Sequence, residues 1–272
     1  MKISILGCGW LGFPLAQSLE KQGHKVKGST TRPEKLSELR QAGIEPLWLQ
    51  LTPEPKGIGW DYLLDCDALV INIPPRLEKA GADFHPAQMR YLVHLIKNSS
   101  VKQVIYISST SVYPDLNRQV KEEDVLSPVQ SAFPALVEVE QLIQELPQST
   151  LILRCGGLMG YERIPAKYVA GKKDMTTGDI PVNYIHRDDV IGIIEAFLQN
   201  PVLWDAVYNA VAPLHPTRRD VYLASCAPFG YAPPTFKESG ANPFKIISSQ
   251  KLQSALSYRF VYPNPVEFLY RL

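Results

Sequence analysis

The feature that most constrains this chain is a glycine-rich turn, G-x-G-x-x-G, close to the amino terminus. It follows Ile3–Leu6, a short apolar run typical of a buried strand, and precedes an amphipathic helix predicted at Leu11–Gln22. In such a turn the first glycine permits a tight bend, the second lets the backbone approach a diphosphate, and the third allows close helix–strand packing. The following helix presents amide groups and the positive end of its dipole to phosphate. We therefore predict that a dinucleotide binds at Gly7, Gly9, Trp10, Leu11 and Gly12.

Strand and helix signals alternate through the first half of the chain. Further strands are predicted at 24–29, 44–51, 68–73, 104–107 and 151–153, and further helices at 33–42, 86–98 and 134–146. This alternation predicts an α/β protein with a doubly wound parallel Rossmann sheet. After residue 156 proline and glycine become frequent, and the clearest signals are a helix at 189–199 and a strand at 207–210. We therefore predict a Rossmann NAD(P)-binding domain at 1–156 and a small substrate cap at 157–272, interleaved with the last Rossmann elements.

Composition and charge exclude several classes of function. The chain has 272 residues and a net charge of +1, with lysine and arginine spread along it. A nucleic-acid partner would require a clustered basic face, so none is predicted. The four cysteines are far apart, and no cluster has metal-ligand spacing, so no metal is predicted. No apolar run approaches the roughly 20 residues of a membrane span, and no signal peptide precedes the first strand, so we expect a cytoplasmic protein without a membrane partner.

The end of the second predicted strand bears on the choice between NAD and NADP. An acidic residue there would bind the adenosine ribose hydroxyls and repel a 2′-phosphate. This sequence has Ser29-Thr30-Thr31-Arg32 instead, and hydroxyls beside a guanidinium suit a phosphate group. We predict NADP, bound in part by Thr31 and Arg32, with use of both NAD and NADP as the open alternative. Ile73 and Pro74 end the fourth strand at the edge where ligands bind, and we expect them to contact the cofactor mainly through the backbone.

Taken together, these segments resemble the short-chain dehydrogenase/reductase superfamily, in its atypical extended branch of NAD-dependent epimerase/dehydratase-like proteins. Beside the glycine turn, the matching segments are Ile107–Tyr113, Leu153–Gly160 and Tyr184–Val190, in the same order along nearly the whole chain. The resemblance implies that Ser108 contacts the cofactor. It also implies a homodimer, formed through the helix at 134–146, as an open alternative to a monomer.

Catalysis in that superfamily requires a hydroxyl residue just past strand five and a Tyr-x-x-x-Lys pair on the next helix. The hydroxyl matches at Ser109, with Thr110 beside it, so the resemblance implies a catalytic role for both. If Glu140 takes the family's glutamate position, the tyrosine position falls on Ala132 and the lysine position on Leu136. The usual proton-transferring pair is therefore missing. Either another group transfers the proton, or the protein binds NADP without this chemistry.

Other residues are candidates for the missing role. Tyr168 and Lys172 have the required spacing but follow strand six, in the wrong part of the fold. His186 is the best substitute acid or base, because histidine titrates near neutral pH. Its alternative role is to hold loop backbone together. Asp188 is predicted to cap the next helix.

The cap also contributes predicted substrate contacts, at Arg163 and Tyr161. In the family that the chain resembles, this region faces the substrate, and an arginine suits a phosphate or carboxylate. For Arg163 the open alternative is a solvated arginine on the surface.

Two functions follow from these features. The first is an NADP-dependent, epimerase/dehydratase-like oxidoreductase acting on a small organic or nucleotide-sugar substrate. The alternative is a non-catalytic NADP-binding redox sensor or regulatory protein, which the missing Tyr–Lys pair favours.

Overall fold

Strands and helices alternate from the amino terminus of the computed structural model, which describes residues 1–75, 81–238 and 240–271. The strands are β1 (Lys2–Leu6), β2 (Lys25–Thr30), β3 (Glu45–Trp48), β4 (Gln50–Leu51), β5 (Pro55–Lys56), β6 (Ala68–Ile71), β7 (Gln103–Ser109), β8 (Arg118–Val120), β9 (Ser149–Cys155), β10 (Gly157–Met159), β11 (Tyr184–His186), β12 (Ala206–Ala210) and β13 (Lys245–Ile247). The helices are α1 (Gly12–Lys21), α2 (Leu36–Gln41), α3 (Trp60–Leu64), α4 (Phe84–Lys97), α5 (Pro134–Gln144), α6 (Arg187–Gln199), α7 (Arg218–Cys226) and α8 (Gln250–Leu256).

The central sheet is parallel and has seven strands in the order β12-β9-β7-β6-β1-β2-β3. In β1, Ile5 is paired with Gly28 of β2 on one side and Val70 of β6 on the other. This register places the carboxyl ends of β1, β2 and β6 at one edge of the sheet, where ligands bind in folds of this kind. The predicted α/β class and parallel Rossmann sheet are confirmed.

The core confirms the helix faces that the apolar spacing predicts. Leu15 and Leu19 of α1 are fully buried. Leu136, Val139 and Ile143 of α5 are buried too, as their helical spacing predicts. Each such side chain stabilises the fold by about 1.5–3 kcal/mol relative to an exposed one. These buried faces pack the helices against the central sheet.

The elements differ from prediction where local signals are short. The strand predicted at 44–51 is interrupted, because β4 leaves the central sheet and pairs antiparallel with β5. The second half contains the unpredicted helices α7 and α8 and the parallel pair β10–β11. Its strand β13 pairs in parallel with β8, an unpredicted strand that precedes α5. A capping box from Thr217 to Asp220 marks the start of α7 and was the available signal. Asp188 does not cap α6, because that helix already begins at Arg187.

The chain divides into two compact units. The first unit comprises Met1–Ser108, Leu126–Leu153 and Glu195–Val207, and the second comprises Ser109–Val125, Arg154–Ile194 and Tyr208–Leu272. The division into domains at 1–156 and 157–272 stays a prediction. Within the described residues, no helix combines the length and apolar character required to cross a membrane.

Candidate functional site

The three glycines of the turn have three different surroundings. Gly7 has a φ of +107°, and a Cβ there would lie 2.4 Å from the Asn72 carbonyl oxygen. A Cβ at Gly12 would lie 2.2 Å from the carbonyl oxygen of Gly7. A Cβ at Gly9 would meet no described atom within 4 Å. The outer glycines therefore permit close packing of the turn itself, while the space beside Gly9 is open for a ligand.

Hydrogen bonds fix this turn to the ends of two strands. The amide of Gly7 donates to Ser29 Oγ at 3.0 Å, and the amide of Cys8 donates to the Ser29 carbonyl at 2.7 Å. From β6, Asn72 Nδ2 donates to the Gly7 carbonyl at 3.0 Å. The Cys8 thiol is buried, and burial raises its pKa to about 12, so it is a neutral packing group. The turn is thus a rigid platform.

A cavity of about 600 Å³ lies against this platform, within the first unit. Its size falls in the range of small-molecule and cofactor sites. The lining includes residues predicted from the sequence to bind the cofactor, namely Gly7, Gly9, Thr31, Arg32, Ile73 and Pro74. It also includes polar residues outside that prediction, namely Gln50, Thr52, Asn72 and Gln88. Together with the open space at Gly9, this lining fits a dinucleotide diphosphate.

The segment Thr30–Arg32, whose Thr31 and Arg32 are predicted to bind the 2′-phosphate, lines the cavity. The Thr30 hydroxyl accepts from the Arg32 amide at 3.1 Å, and the Thr31 carbonyl accepts from Trp48 Nε1 at 3.3 Å. The backbone of this segment is therefore held in place, while the side chains of Thr31 and Arg32 are exposed. Across the described residues, no carboxylate forms an ion pair with Arg32. Its guanidinium is thus suited to an anionic ligand.

The other predicted cofactor residues lie outside the cavity lining. Leu11 is buried beside the start of α1, and Trp10 is half-buried next to it. Ser108 Oγ donates to the buried carboxylate of Glu140 at 2.5 Å, which ties β7 to α5. Gly12, buried at the start of α1, lies outside the lining too. Cofactor contact by every residue of the predicted set stays a prediction.

The predicted catalytic hydroxyls belong to the second unit. Ser109 Oγ accepts from the Ser111 amide at 3.1 Å and so caps a 3₁₀ turn at Thr110–Val112. This bond uses a lone pair of the Ser109 oxygen and leaves its hydroxyl proton for another acceptor. Thr110 is buried. The catalytic roles of both stay predictions.

Neither aligned position of the Tyr–Lys pair carries a side chain that can transfer a proton. Leu136, at the predicted lysine position, is 3% exposed and packs in the core. Ala132, at the predicted tyrosine position, precedes the helix and is exposed. The alternative pair also fails as a helical pair, because Tyr168 ends a 3₁₀ turn and Gly171, between it and Lys172, has a φ of +69°.

His186 is fully buried, and main-chain groups bind both ring nitrogens. Its Nδ1 accepts from the Asp188 amide at 3.2 Å, so Nε2 carries the proton and donates to the Leu269 carbonyl at 3.2 Å. The Tyr262 ring stacks on it at 3.9 Å, and burial lowers its pKa. These contacts account for the loop-holding role. Proton transfer by His186 stays a prediction, and it would require one of these bonds to open.

Tyr161 lies in a cluster of arginines. Its hydroxyl donates to Asp188 Oδ2 at 2.7 Å, the Arg187 guanidinium lies 3.9 Å above its ring, and that of Arg271 lies 5.8 Å away. Arg163 is half-buried, and burial and the nearby charge of Arg187 lower its pKa. A bound anion would relieve this repulsion between cations.

Among the described residues, no group of three His, Cys, Asp or Glu side chains could hold a metal ion.

A glycine turn between β1 and α1, at the carboxyl edge of a parallel sheet, defines a dinucleotide-binding Rossmann protein. The sequence matches the NAD(P)H-binding family over residues 7–201. The chain belongs to this family.

Known proteins similar to this chain include one sequence relative and two solved structures. Protein YeeZ of Escherichia coli (strain K12) is 36% identical over 269 residues, which is 97% of each chain. MoeE5 in complex with UDP-glucose and NAD has a TM-score of 0.78 and 16% identity, covering 98% of this chain and 97% of that one. UDP-glucuronic acid 4-epimerase from Bacillus cereus, in complex with UDP-glucuronic acid and NAD, has a TM-score of 0.77 and 17% identity, covering 98% and 96%. At these identities the structural likeness shows the fold alone.

Proposed function

We propose that the protein is an NADP-dependent, epimerase/dehydratase-like oxidoreductase that acts on an anionic organic substrate such as a nucleotide sugar. The observation that carries the cofactor half is the cavity beside Gly9, which has Thr31 and Arg32 at its mouth. The main-chain amides of the turn would hold the diphosphate, and the guanidinium of Arg32 would pair with the ribose 2′-phosphate.

Replacing Arg32 with alanine tests the choice of NADP. Charged hydrogen bonds of this kind contribute about 1.5–3 kcal/mol, so we expect NADPH affinity to fall about 10- to 100-fold while NADH affinity changes little. Calorimetric dissociation constants for both nucleotides measure the effect. Arg40→Ala is the matched control, because Arg40 is exposed on α2 and lies outside the cavity lining. A ratio of NADPH to NADH affinity that does not move would contradict the proposal.

The arginine cluster of the second unit supports an anionic substrate. Arg187 and Arg271 face the Tyr161 ring, and Arg163 is close enough to Arg187 for their charges to interact. The carboxylates nearby are Asp188, which is bound to the Tyr161 hydroxyl and lies 4.0 Å from Arg187, and Glu162. Such an excess of guanidinium groups suits a phosphate or carboxylate. Two structurally similar proteins were solved with UDP-glucose and UDP-glucuronic acid, both of which are anionic. A nucleotide sugar is therefore the first substrate class to test.

The cofactor, when bound, supplies or accepts a hydride at its nicotinamide ring. In this proposal Ser109 donates its free hydroxyl proton to the substrate oxygen and polarises it. With the Tyr–Lys pair absent, either His186 or a tyrosine of the second unit such as Tyr161 transfers the proton. The hydroxyl of Tyr161 is half-buried and its pKa is raised, by burial and then by Asp188. It is therefore protonated at neutral pH, and to act as an acid it would exchange its hydrogen bond with Asp188 for one with the substrate.

Replacing Ser109 with alanine tests the catalytic part of the proposal. NADPH oxidation is followed against a panel of carbonyl compounds and nucleotide sugars. We expect turnover of at least one compound by the wild type and at least about a 100-fold lower rate in Ser109→Ala, because loss of one hydroxyl that stabilises a developing oxyanion has this scale of effect. Ser111→Ala is the control for loss of a neighbouring hydroxyl. NADPH binding should be unchanged in both variants.

The second candidate function is a non-catalytic NADP-binding redox sensor or regulatory protein. The specific observation in its favour is Leu136, which fills the catalytic lysine position with a core side chain. Tight NADPH binding with no turnover of any compound in the panel would favour this function over the enzyme.

A homodimer through α5 and a cytoplasmic location, which suits four buried free cysteines, are further parts of the proposal.

A further inference from the structure

A chain of buried polar side chains leads from the cofactor cavity into the core of the first unit. Gln88 on α4 lines the cavity and is 7% exposed. Its Nε2 donates to the Leu51 carbonyl at 2.6 Å, and its Oε1 lies 3.2 Å from Nδ1 of His85. On the far side, Nε2 of His85 lies 2.9 Å from the Tyr106 hydroxyl of β7. Both His85 and Tyr106 are buried.

The hydrogen atoms of this chain have one consistent arrangement. Because Nε2 of Gln88 donates to Leu51, Oε1 is the atom that faces His85, and a carbonyl oxygen can only accept. His85 therefore carries its proton on Nδ1 and donates it to Gln88. Its Nε2 then accepts from the Tyr106 hydroxyl. Burial lowers the pKa of His85, which keeps this neutral form at neutral pH. The carboxamide of Gln88 is thus fixed in orientation from both ends.

The surroundings of the chain are apolar. Leu51, Met89, Leu92 and Tyr106 belong to one core cluster, where aliphatic side chains would pack without any need for hydrogen bonds. A polar network in such a core is favourable only when every member is satisfied, and it then specifies a single arrangement. What this network holds in place is the Gln88 carboxamide in the cavity wall.

The order of groups along a dinucleotide indicates which part of the ligand lies beside Gln88. With the diphosphate beside Gly9 and the ribose at Thr31 and Arg32, the remaining wall receives the base. That wall combines the apolar side chains of Leu49, Leu51, Ile73 and Pro74 with three carboxamides. Two of these are bonded to the main chain of the turn and of the strand end, Asn72 to the Gly7 carbonyl and Gln50 to the Thr31 carbonyl, while Gln88 is the buried one. Apart from the bonds to Leu51 and His85, Gln88 keeps one N–H and one lone pair of Oε1. A glutamine carboxamide pairs with adenine through one donor and one acceptor of this kind.

We propose that Gln88 recognises the adenine edge of the cofactor, and that His85 and Tyr106 are positioning residues that fix its carboxamide. This inference rests on the proposed placement of the dinucleotide in the cavity. It assigns base selection to α4, a helix whose sequence pattern carries no cofactor motif.

The test compares NADPH with its hypoxanthine analogue, in which a carbonyl oxygen replaces the adenine amino group. We expect wild-type protein to bind NADPH about tenfold more tightly than the analogue, as the loss of one well-oriented hydrogen bond predicts. Gln88→Met and His85→Phe should both lose this preference. His94→Phe is the matched control, because His94 is exposed on the same helix, and the preference should persist there.

The double variant of His85 and Gln88 distinguishes a positioning role of His85 from a general effect on protein stability. If His85 acts through Gln88, adding His85→Phe to Gln88→Met should not weaken NADPH binding further. Additive losses of NADPH affinity in the double variant would overturn the proposal. A preference for NADPH over the analogue that survives in Gln88→Met would also overturn it, and this test remains available if His85→Phe does not fold. Wild-type protein that binds both nucleotides equally refutes this inference alone. Wild-type protein that binds neither refutes the proposed cofactor site.

Discussion

Gly9→Val is expected to leave the protein folded and to weaken NADPH binding by at least about 100-fold, or about 2.7 kcal/mol. The fold tolerates the change because a Cβ at this position meets no described atom within 4 Å. The same space is where the diphosphate would approach the main-chain amides. A branched side chain there prevents these hydrogen bonds from forming, and nothing else in the cavity replaces them. Calorimetric titration with NADPH measures the effect.

The control is Gly9→Ala, whose single methyl group should give a smaller loss of affinity. Urea unfolding of both variants should match the wild type to within about 0.5 kcal/mol, as for substitutions that touch nothing. If Gly9→Val retains wild-type affinity, the diphosphate does not lie over this turn, and the proposed site is wrong.

Gly12→Ala should differ from Gly9→Val, because it should lower the stability of the fold as well as NADPH affinity. The new methyl group would lie 2.2 Å from the Gly7 carbonyl oxygen and 3.0 Å from Asn72 Nδ2, so the turn must move. Forced overpacking of this kind costs typically about 1–3 kcal/mol. We expect the free energy of unfolding to fall by about 2 kcal/mol. This is a net loss, although alanine is intrinsically favoured over glycine in a helix by about 1 kcal/mol.

Urea unfolding of Gly12→Ala beside Gly9→Ala gives the comparison, since each variant adds one methyl group within the same turn. A Gly12→Ala protein as stable as the wild type would mean that α1 does not pack against β1 as described. NADPH affinity should fall as well, because displacement of the Gly7 carbonyl changes the backbone of the glycine turn at which the diphosphate is proposed to bind.

Local patterns predicted much of the fold, because burial repeats along a strand or helix with a fixed period. The face of α5 has this property, while Ile3–Leu6 was predicted from an unbroken apolar run and the glycine turn from a motif of neighbouring residues. The structure bears out the strand and the helix face. The second half was predicted less well. Its strands β10, β11 and β13 have three residues each, too few for any period to emerge.

Some polar residues of the site could be predicted from the sequence, and others could not. Thr31 and Arg32 follow a predicted strand, so their place at the cavity mouth could be inferred. Gln88 could not be, since nothing on α4 distinguishes a cavity-facing amide from a surface one until the helix is packed. His186 had two interpretations in sequence, and its buried contacts with Leu269 and Asp188 are specific to the folded second unit.

By itself the sequence determined the α/β class, the nucleotide-binding turn and the absence of the Tyr–Lys pair, because each depends on residues close together in the chain. Only the tertiary structure decided which side chains share the cavity and which polar groups are buried together. Gln88 and Leu51 are 37 positions apart, and His186 and Leu269 are 83 apart. Contacts over such separations depend on strand order and helix packing, which no local periodicity encodes.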